Sequence, residues 1–270
     1  MGTDDSVGRA TIADALRALG LEPGDSVFVH SSLSRFGHVE GGAETVCRAV
    51  MDAVGPAGTV LMPAFAFEFV KAAGPVLDIE GTPSCVGRIS EVFRTRFATH
   101  RSRHLTHSVS AAGALAERLT SGHAREAFCR ESPFRRLADL LDGGDHGRGW
   151  VLLMGVDYNR CTFFHAIELA LPVSYMGMTP KPDARVRLPG GEVVPAECSV
   201  HLPTMDYDFN RMAGMLDAEG LTRMVKCGRA LLRLFPAAEV FERVLAELRR
   251  NPYALTRQGD ERRRIRVEAE

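Results

Sequence analysis

The chain has 270 residues, 45% of them hydrophobic and 25% charged, with a formal net charge of −1. That composition belongs to a soluble globular protein long enough to bury a sizeable core. The charge balance leaves no basic excess for a nucleic-acid footprint, and the apolar runs are too short to span a bilayer, so neither nucleic acid nor membrane is an expected partner.

In chain order, TIADALRALG (residues 11–20) reads as an amphipathic helix with Thr11 as its cap and Gly20 as its stop. A Pro23-Gly24-Asp25 turn leads into VFVH, a short strand that ends in a polar cluster. GGAETVCRAVMDAVG is a second helix and TVLMPAF a second buried strand. GRISEVFRTRF, GALAERLTSG and SPFRRLADLLDG read as helices, with HSVSAAG as a short strand or loop between the first two. WVLLMGV is a third buried strand, followed by the apolar helix FFHAIELAL. KPDARVRLPGGEVVPAECSVHL alternates around Pro189-Gly190-Gly191, the pattern of an antiparallel hairpin. GLTRMVKCGRALLRLFPAAEVFERVLAELRRNP is read as the last helices, broken near Gly228 and Pro236. The expectation is an α/β fold: a central mixed sheet flanked by helices, with a small antiparallel β excursion. Residues 1–255 are expected to form one domain and residues 256–270 a charged tail.

Six cysteines, at 47, 85, 129, 161, 198 and 227, are scattered and contain no C-x-x-C pair. That pattern argues against a zinc knuckle or a disulfide framework and fits a reducing cytosol. The acidic N-terminus lacks the apolar stretch of a signal peptide. No P-loop and no G-x-G-x-x-G is present, so kinase and dinucleotide readings have no motif behind them.

Three stretches carry candidate chemistry. VHSSL ends a buried strand, where open α/β sheets bind ligands; the hydroxyls of Ser31 and Ser32 and the loop's N–H groups would hold a phosphate or a carbonyl. The alternative is a plain polar turn. THRSRHLTHSVSA gathers His100, His104, His107 and two arginines. It reads either as a binder of an anionic, phosphate-bearing ligand or as an ordinary charged loop. A metal is not expected there, because no H-E-x-x-H pattern and no nearby carboxylate accompany the histidines. The third stretch places Asp157 and Asn159 ahead of a helix carrying His165 and Glu168. Positions three apart share one helix face, and a carboxylate beside an imidazole fixes its tautomer and raises its basicity. The alternative is a buried histidine satisfied by one acid. Asp206 and Asp208 in TMDYDF form a further acidic pair, able to orient His165 or meet a cationic substrate, or else solvated.

Taken together, GDSVFVHSSLSRFGHVEGGAETVCRAVMDAVGPAGTVLMPAF, GRISEVFRTRF, RSRHLTHSVSAAG, SPFRRLADLLDGG and LLMGVDYNRCTFFHAIELA resemble the antibiotic N-acetyltransferase family, the aminoglycoside 3-N-acetyltransferases, in order and spacing. The resemblance covers most of the chain. It implies an α/β fold distinct from the GNAT fold, with acetyl transfer from acetyl-CoA to an amine and no metal. It makes His165 the general base and Glu168 its carboxylate, with Asp206 or Asp208 as rival partners. It assigns His30, Ser31, Ser32 and Leu33 to the CoA site, together with Arg101, His104, His107 and Ser108, and has Phe65 line the pantetheine channel. Glu40, Glu68, Asp157, Asp206 and Asp208, with Asn159 beside them, are the groups available to a polycationic acceptor. Direct transfer in a ternary complex is expected, with Cys161 the nearest thiol to the site. A monomer or a homodimer is expected. Leu105 and Cys129 depart from the family pattern, which usually has Pro and Gly there. The segments 65–74 and 173–205, which would shape the acceptor pocket, match less well. A different amine or a larger acyl donor therefore stays open, as does a CoA-binding protein without turnover.

Overall fold

The computed structural model describes residues 6–140, 147–171 and 173–257. Among them are twelve strands: β1 (Ser26–Ser31), β2 (Thr59–Pro63), β3 (Val76–Asp78), β4 (His100–Arg101), β5 (Val109–Gly113), β6 (Gly149–Met154), β7 (Met176–Lys181), β8 (Arg185–Arg187), β9 (Val193–Pro195), β10 (Cys198–Pro203), β11 (Arg223–Cys227) and β12 (Ala230–Pro236). Eight α-helices accompany them: α1 (Arg9–Ala18), α2 (Gly42–Val54), α3 (Arg88–Arg96), α4 (Ala116–Thr120), α5 (Pro133–Ala138), α6 (Phe163–Leu169), α7 (Ala213–Ala218) and α8 (Ala237–Arg250).

The central sheet has the order β11-β12-β6-β1-β2-β5-β4. β1 lies parallel to both neighbours, with Ser26 opposite Thr59 of β2 and Gly149 of β6. The outer pairs, β2 with β5 and β6 with β12, are antiparallel, so the sheet is mixed as expected. Strand periodicity of two divides the core. Val27 and Val29 join Ile12, Leu16, Val46, Val50 and Phe93 on the face covered by α1, α2 and α3. Phe28 joins Phe134, Phe163 and Phe241 on the face covered by α5, α6 and α8. Both faces are buried, which is why β1 and β6 read as continuous apolar runs. The chain leaving β1 turns to one face and the chain leaving β6 to the other. Their C-terminal ends therefore diverge into a crevice, the switch point at which α/β sheets bind ligands.

The β excursion is present as two small sheets. β7 pairs antiparallel with β10, and β8 and β9 form the hairpin around Gly190-Gly191, with β3 parallel to β8. Leu105, the departure from the usual Pro, is fully buried there with Leu77, Val186 and Val200.

Two expectations from the sequence fail. Residues 223–236 are not helical but form the hairpin β11–β12 at the sheet edge. Ala230, Leu232 and Leu234 are buried while Leu231 and Arg233 are only half-buried, a period of two that a short apolar run conceals. Gly228 makes the turn at φ +54°, where an added Cβ would meet Val7 and the Phe36 carbonyl. Only α8 is helical. α1 likewise starts at Arg9, with Gly8 rather than Thr11 as its cap. Leu255 and Thr256 are fully buried, and most of the charged tail expected at 256–270 lies outside the described residues. No helix among the described residues is long and apolar enough to cross a membrane.

Candidate active site

At the C-terminal ends of β1, β2 and β6 opens a cleft of about 980 Å³. Its floor carries His30, Ser31 and Ser32 from β1 and the loop after it, and Pro63 and Phe65 from β2 and its extension. Gly155, next after β6, has φ +70°, and a Cβ there would come within 2.6 Å of the Arg35 Cβ, so glycine lets this turn close against the β1 loop. His165 enters from α6.

His165 and Glu168 lie one above the other on α6, as the spacing of three requires. His165 Nδ1 lies 2.7 Å from Glu168 Oε2. The carboxylate is fully buried, and the hydroxyl of Tyr175 donates to its other oxygen, Oε1, at 2.8 Å. His165 Nε2 has no hydrogen-bond partner among the described residues, and the ring edge reaches the cleft. The rings of His201, Tyr207, Phe209 and Phe128 pack round the imidazole at 4.6–5.1 Å between centroids and fix its plane. Burial pushes His165 down to about 3 and Glu168 up to about 8, because a low-dielectric surrounding penalises either charge; the Tyr175 hydroxyl works against the shift on the carboxyl. The resting pair is therefore uncharged near neutrality. Once Glu168 ionises, it accepts the Nδ1–H, which directs the Nε2 lone pair to the cleft.

His30 is the second imidazole of the cleft. It is buried, its Nε2 lacks a hydrogen-bond partner among the described residues, and burial pushes it down to about 3, so it stays neutral. Like the Ser26 and Ser110 hydroxyls and the Trp150 indole N–H, this nitrogen is closed off from solvent.

The RSRHLTHS segment lies behind the cleft wall, its His107 ring against Phe65 and Phe67. Arg101 donates to the carbonyls of Ile79, Thr82 and Ala64 and to Ser108 Oγ, and Ser108 in turn donates to Ala64 O. His104 Nε2–H donates to Ser199 O at 3.2 Å, and its Nδ1 accepts the His107 N–H at 3.0 Å. His107 Nδ1 is 2.9 Å from Thr106 Oγ1. None of these four residues lines the cleft. Arg101, Ser108 and both ring nitrogens of His104 are engaged within the protein, while the His107 ring packs on Phe65 and Phe67 of the cleft wall. Leu33 also misses the cleft and packs among the side chains under α2.

The acidic candidates separate. Asp157 and Asn159 lie on the rim, but Asp157 accepts from Asn159 N–H and Asn210 Nδ2, and Asn159 Oδ1 accepts from Asn210 N–H. Glu40, Glu68, Asp206 and Asp208 do not line the cleft, and neither aspartate of that pair touches His165. Cys161 is fully buried, and burial raises its thiol. The thiol that does reach the cleft is Cys85, also raised by burial.

Sequence reading missed four arginines on the cleft: Arg35, Arg160, Arg229 and Arg233. Arg233 donates to the Val156 carbonyl at 3.1 Å; the other three make no ion pair among the described residues. Arg229 and Arg233 were hidden because their hairpin reads as a helix. The same groups form a cationic lining for a phosphate-bearing ligand. Among the described residues no cluster of His, Cys, Asp and Glu has the arrangement to hold a metal ion.

A sequence profile of the aminoglycoside 3-N-acetyltransferases matches residues 28–249. The chain is similar, at 31% identity over 185 residues, to the prophage-derived aminoglycoside N(3')-acetyltransferase-like protein YokD of Bacillus subtilis; the match covers 61% of this chain and 65% of that protein, a little under two thirds of its length. The crystal structure of aminoglycoside acetyltransferase AAC(3)-Xa superposes with a TM-score of 0.77 at 29% identity, covering 90% of this chain and 93% of the other. The structure of AAC-IIIb in binary complex with CoASH also superposes with a TM-score of 0.77, at 26% identity, covering 91% of this chain and 97% of the other.

Proposed function

The chain belongs to the aminoglycoside 3-N-acetyltransferase family, and from that premise we propose that it moves an acetyl group from acetyl-CoA to the 3-amino group of an aminoglycoside's 2-deoxystreptamine ring, a reaction that gives resistance to the antibiotic. The observation that carries the proposal is the His165–Glu168 pair, with a free Nε2 facing a cleft at the ends of three strands.

The residues present fit the acyl donor. Arg35, Arg160, Arg229 and Arg233 would hold its phosphates, with Ser31 and Ser32 at the strand end between them, and Phe65 would lie along its pantetheine arm. When bound, the donor supplies a thioester carbonyl. The hydroxyls of Ser31 and Ser32 at the end of β1 line the cleft and would be available to that carbonyl. His165 Nε2 takes the proton of the acceptor nitrogen as its C–N bond forms. Glu168 stabilises the imidazolium that results, and the proton passes to the departing CoA sulfur as the C–S bond breaks. The burial of Cys161 and the raised thiol of Cys85 support direct transfer over an acyl-cysteine route.

A second reading is favoured by the lining charges. Among the described lining residues Asp157 is the one carboxylate, and both its oxygens already accept hydrogen bonds. A polycation needs more negative charge than that. The alternative acceptor is a less cationic amine, with the same donor and the same base. The test is CoA release, followed with a thiol reagent, with gentamicin, kanamycin and neomycin each offered beside a set of mono- and diamines. Turnover confined to the aminoglycosides is the expected result; turnover confined to the small amines selects the second reading.

A further inference from the structure

Tyr175 lies immediately before β7, at the inner end of the β7–β10 ribbon, and is 1% exposed. The register pairs Met176 with Pro203 at this end of the ribbon, and Thr204 Oγ1 donates to the Tyr175 carbonyl. The side chain runs inward, and its hydroxyl donates to Glu168 Oε1 at 2.8 Å while Oε2 faces His165 Nδ1 at 2.7 Å. The two carboxyl oxygens are thus divided between a tyrosine from the ribbon and a histidine from the helix. A fully buried carboxylate left with one donor would be free to rotate and would be costly to ionise.

We infer that Tyr175 is a positioning residue for the proton-accepting pair: its O–H fixes one oxygen of Glu168 and supports that carboxylate in its ionised form, so that the other oxygen holds the Nδ1–H tautomer of His165. The kinetic part of this inference rests on the acyl-transfer reading above. The β excursion, on this view, completes the base from outside the main sheet. Other titratable groups face the pair: His201 of β10 and Tyr207 against the His165 ring, His107 behind His201, and Tyr253 against the ring of Tyr175. Burial pushes both histidines down and Tyr207 up, so these three stay uncharged while Glu168 titrates, which leaves the Tyr175 hydroxyl as the donor that decides it.

The experiment compares Tyr175→Phe with 3-fluorotyrosine placed at 175, whose more acidic hydroxyl is the stronger donor. Two readouts are taken: the ring ¹⁵N shifts of His165 against pH in the resting protein, and the pH profile of kcat/KM with acetyl-CoA and an accepted amine. In Tyr175→Phe the rising limb, and the ring titration with it, moves up by about one unit, and kcat/KM below the limb falls about tenfold. The high-pH plateau and the KM for acetyl-CoA change by less than about twofold. The fluorotyrosine protein moves the limb the other way. A ring titration that stays in place in both proteins overturns the inference, as does an equal loss of rate at every pH. If Tyr175→Phe does not fold, the nearly isosteric fluorotyrosine protein decides. If the wild type acetylates no amine, the functional reading falls and the ring titration still settles Tyr175.

Discussion

Two histidine-bearing stretches of this chain contain the same chemistry and put it to opposite uses. In RSRHLTHS, His104 satisfies both ring nitrogens inside the protein, and Arg101 and Ser108 are spent on backbone oxygens. In FFHAIEL, His165 satisfies Nδ1 on a buried acid and leaves Nε2 at a cleft. Both histidines are driven neutral by burial. On the proposed reading, what separates His165 from His104 is that the second nitrogen of His104 already has a partner. Residue type, spacing and depressed basicity do not distinguish them.

The largest effect expected from this contrast is on acid stability. His104 is held down to about 4 and His201 to about 3, with His107 and His123 well below their ordinary value, all mainly by desolvation. An unfolded histidine takes up its proton near pH 6.5. Between that pH and the folded values the unfolded chain binds more protons, so stability is fully present above about pH 6.5 and is lost as pH falls toward the folded values. Urea melts at pH 7.5 and 5.5 should differ by roughly 3–6 kcal/mol; equal stabilities would break the contrast by showing these rings already protonated or exposed. Next is Glu168→Gln, which keeps the shape of the pair and removes its ability to ionise. It should lower kcat/KM about 10²–10³-fold while leaving CoA affinity within about threefold, measured by calorimetry beside steady-state rates. The smallest is Arg101→Met. It should cost about 2–3 kcal/mol of stability through the orphaned carbonyls, with CoA affinity again unchanged. A fall in CoA affinity without a fall in stability would return Arg101 to the donor site.

Much of this was legible in the residues. The apolar runs VFVH at 27–30 and WVLLMGV at 150–156, the turns and the helix periodicities placed β1, β6, α2 and α6, and the i, i+3 spacing offered Glu168 as a partner of His165, with Asp206 and Asp208 as rivals. What the residues concealed is long-range. Arg101 and His104 have the composition of an anion site, and only the approach of the Ile79, Thr82, Ala64 and Ser199 carbonyls turns them into structural donors. Residues 230–234 alternate in burial with period two but carry helix-forming Leu and Arg, and pairing of β12 with β6 overrides that local preference. Arg35, Arg229 and Arg233 meet on one cleft across some two hundred positions of chain, and Tyr175 reaches Glu168 from a different sheet. No local pattern reports such meetings. Asp206 and Asp208 illustrate the converse, an acidic pair that proximity in sequence to the ribbon suggested for the base and that the fold leaves outside the cleft.

The most direct test of the central claim is His165→Ala against His104→Ala under saturating acetyl-CoA and the accepted amine, with CoA binding measured in parallel. The account predicts a loss of about 10²–10⁴-fold in kcat for His165→Ala, with CoA still bound. It predicts a kcat within about threefold of wild type for any His104→Ala protein that remains folded, because that ring holds loops and touches no reactant. Acetyl transfer that survives in His165→Ala and disappears in folded His104→Ala would contradict it.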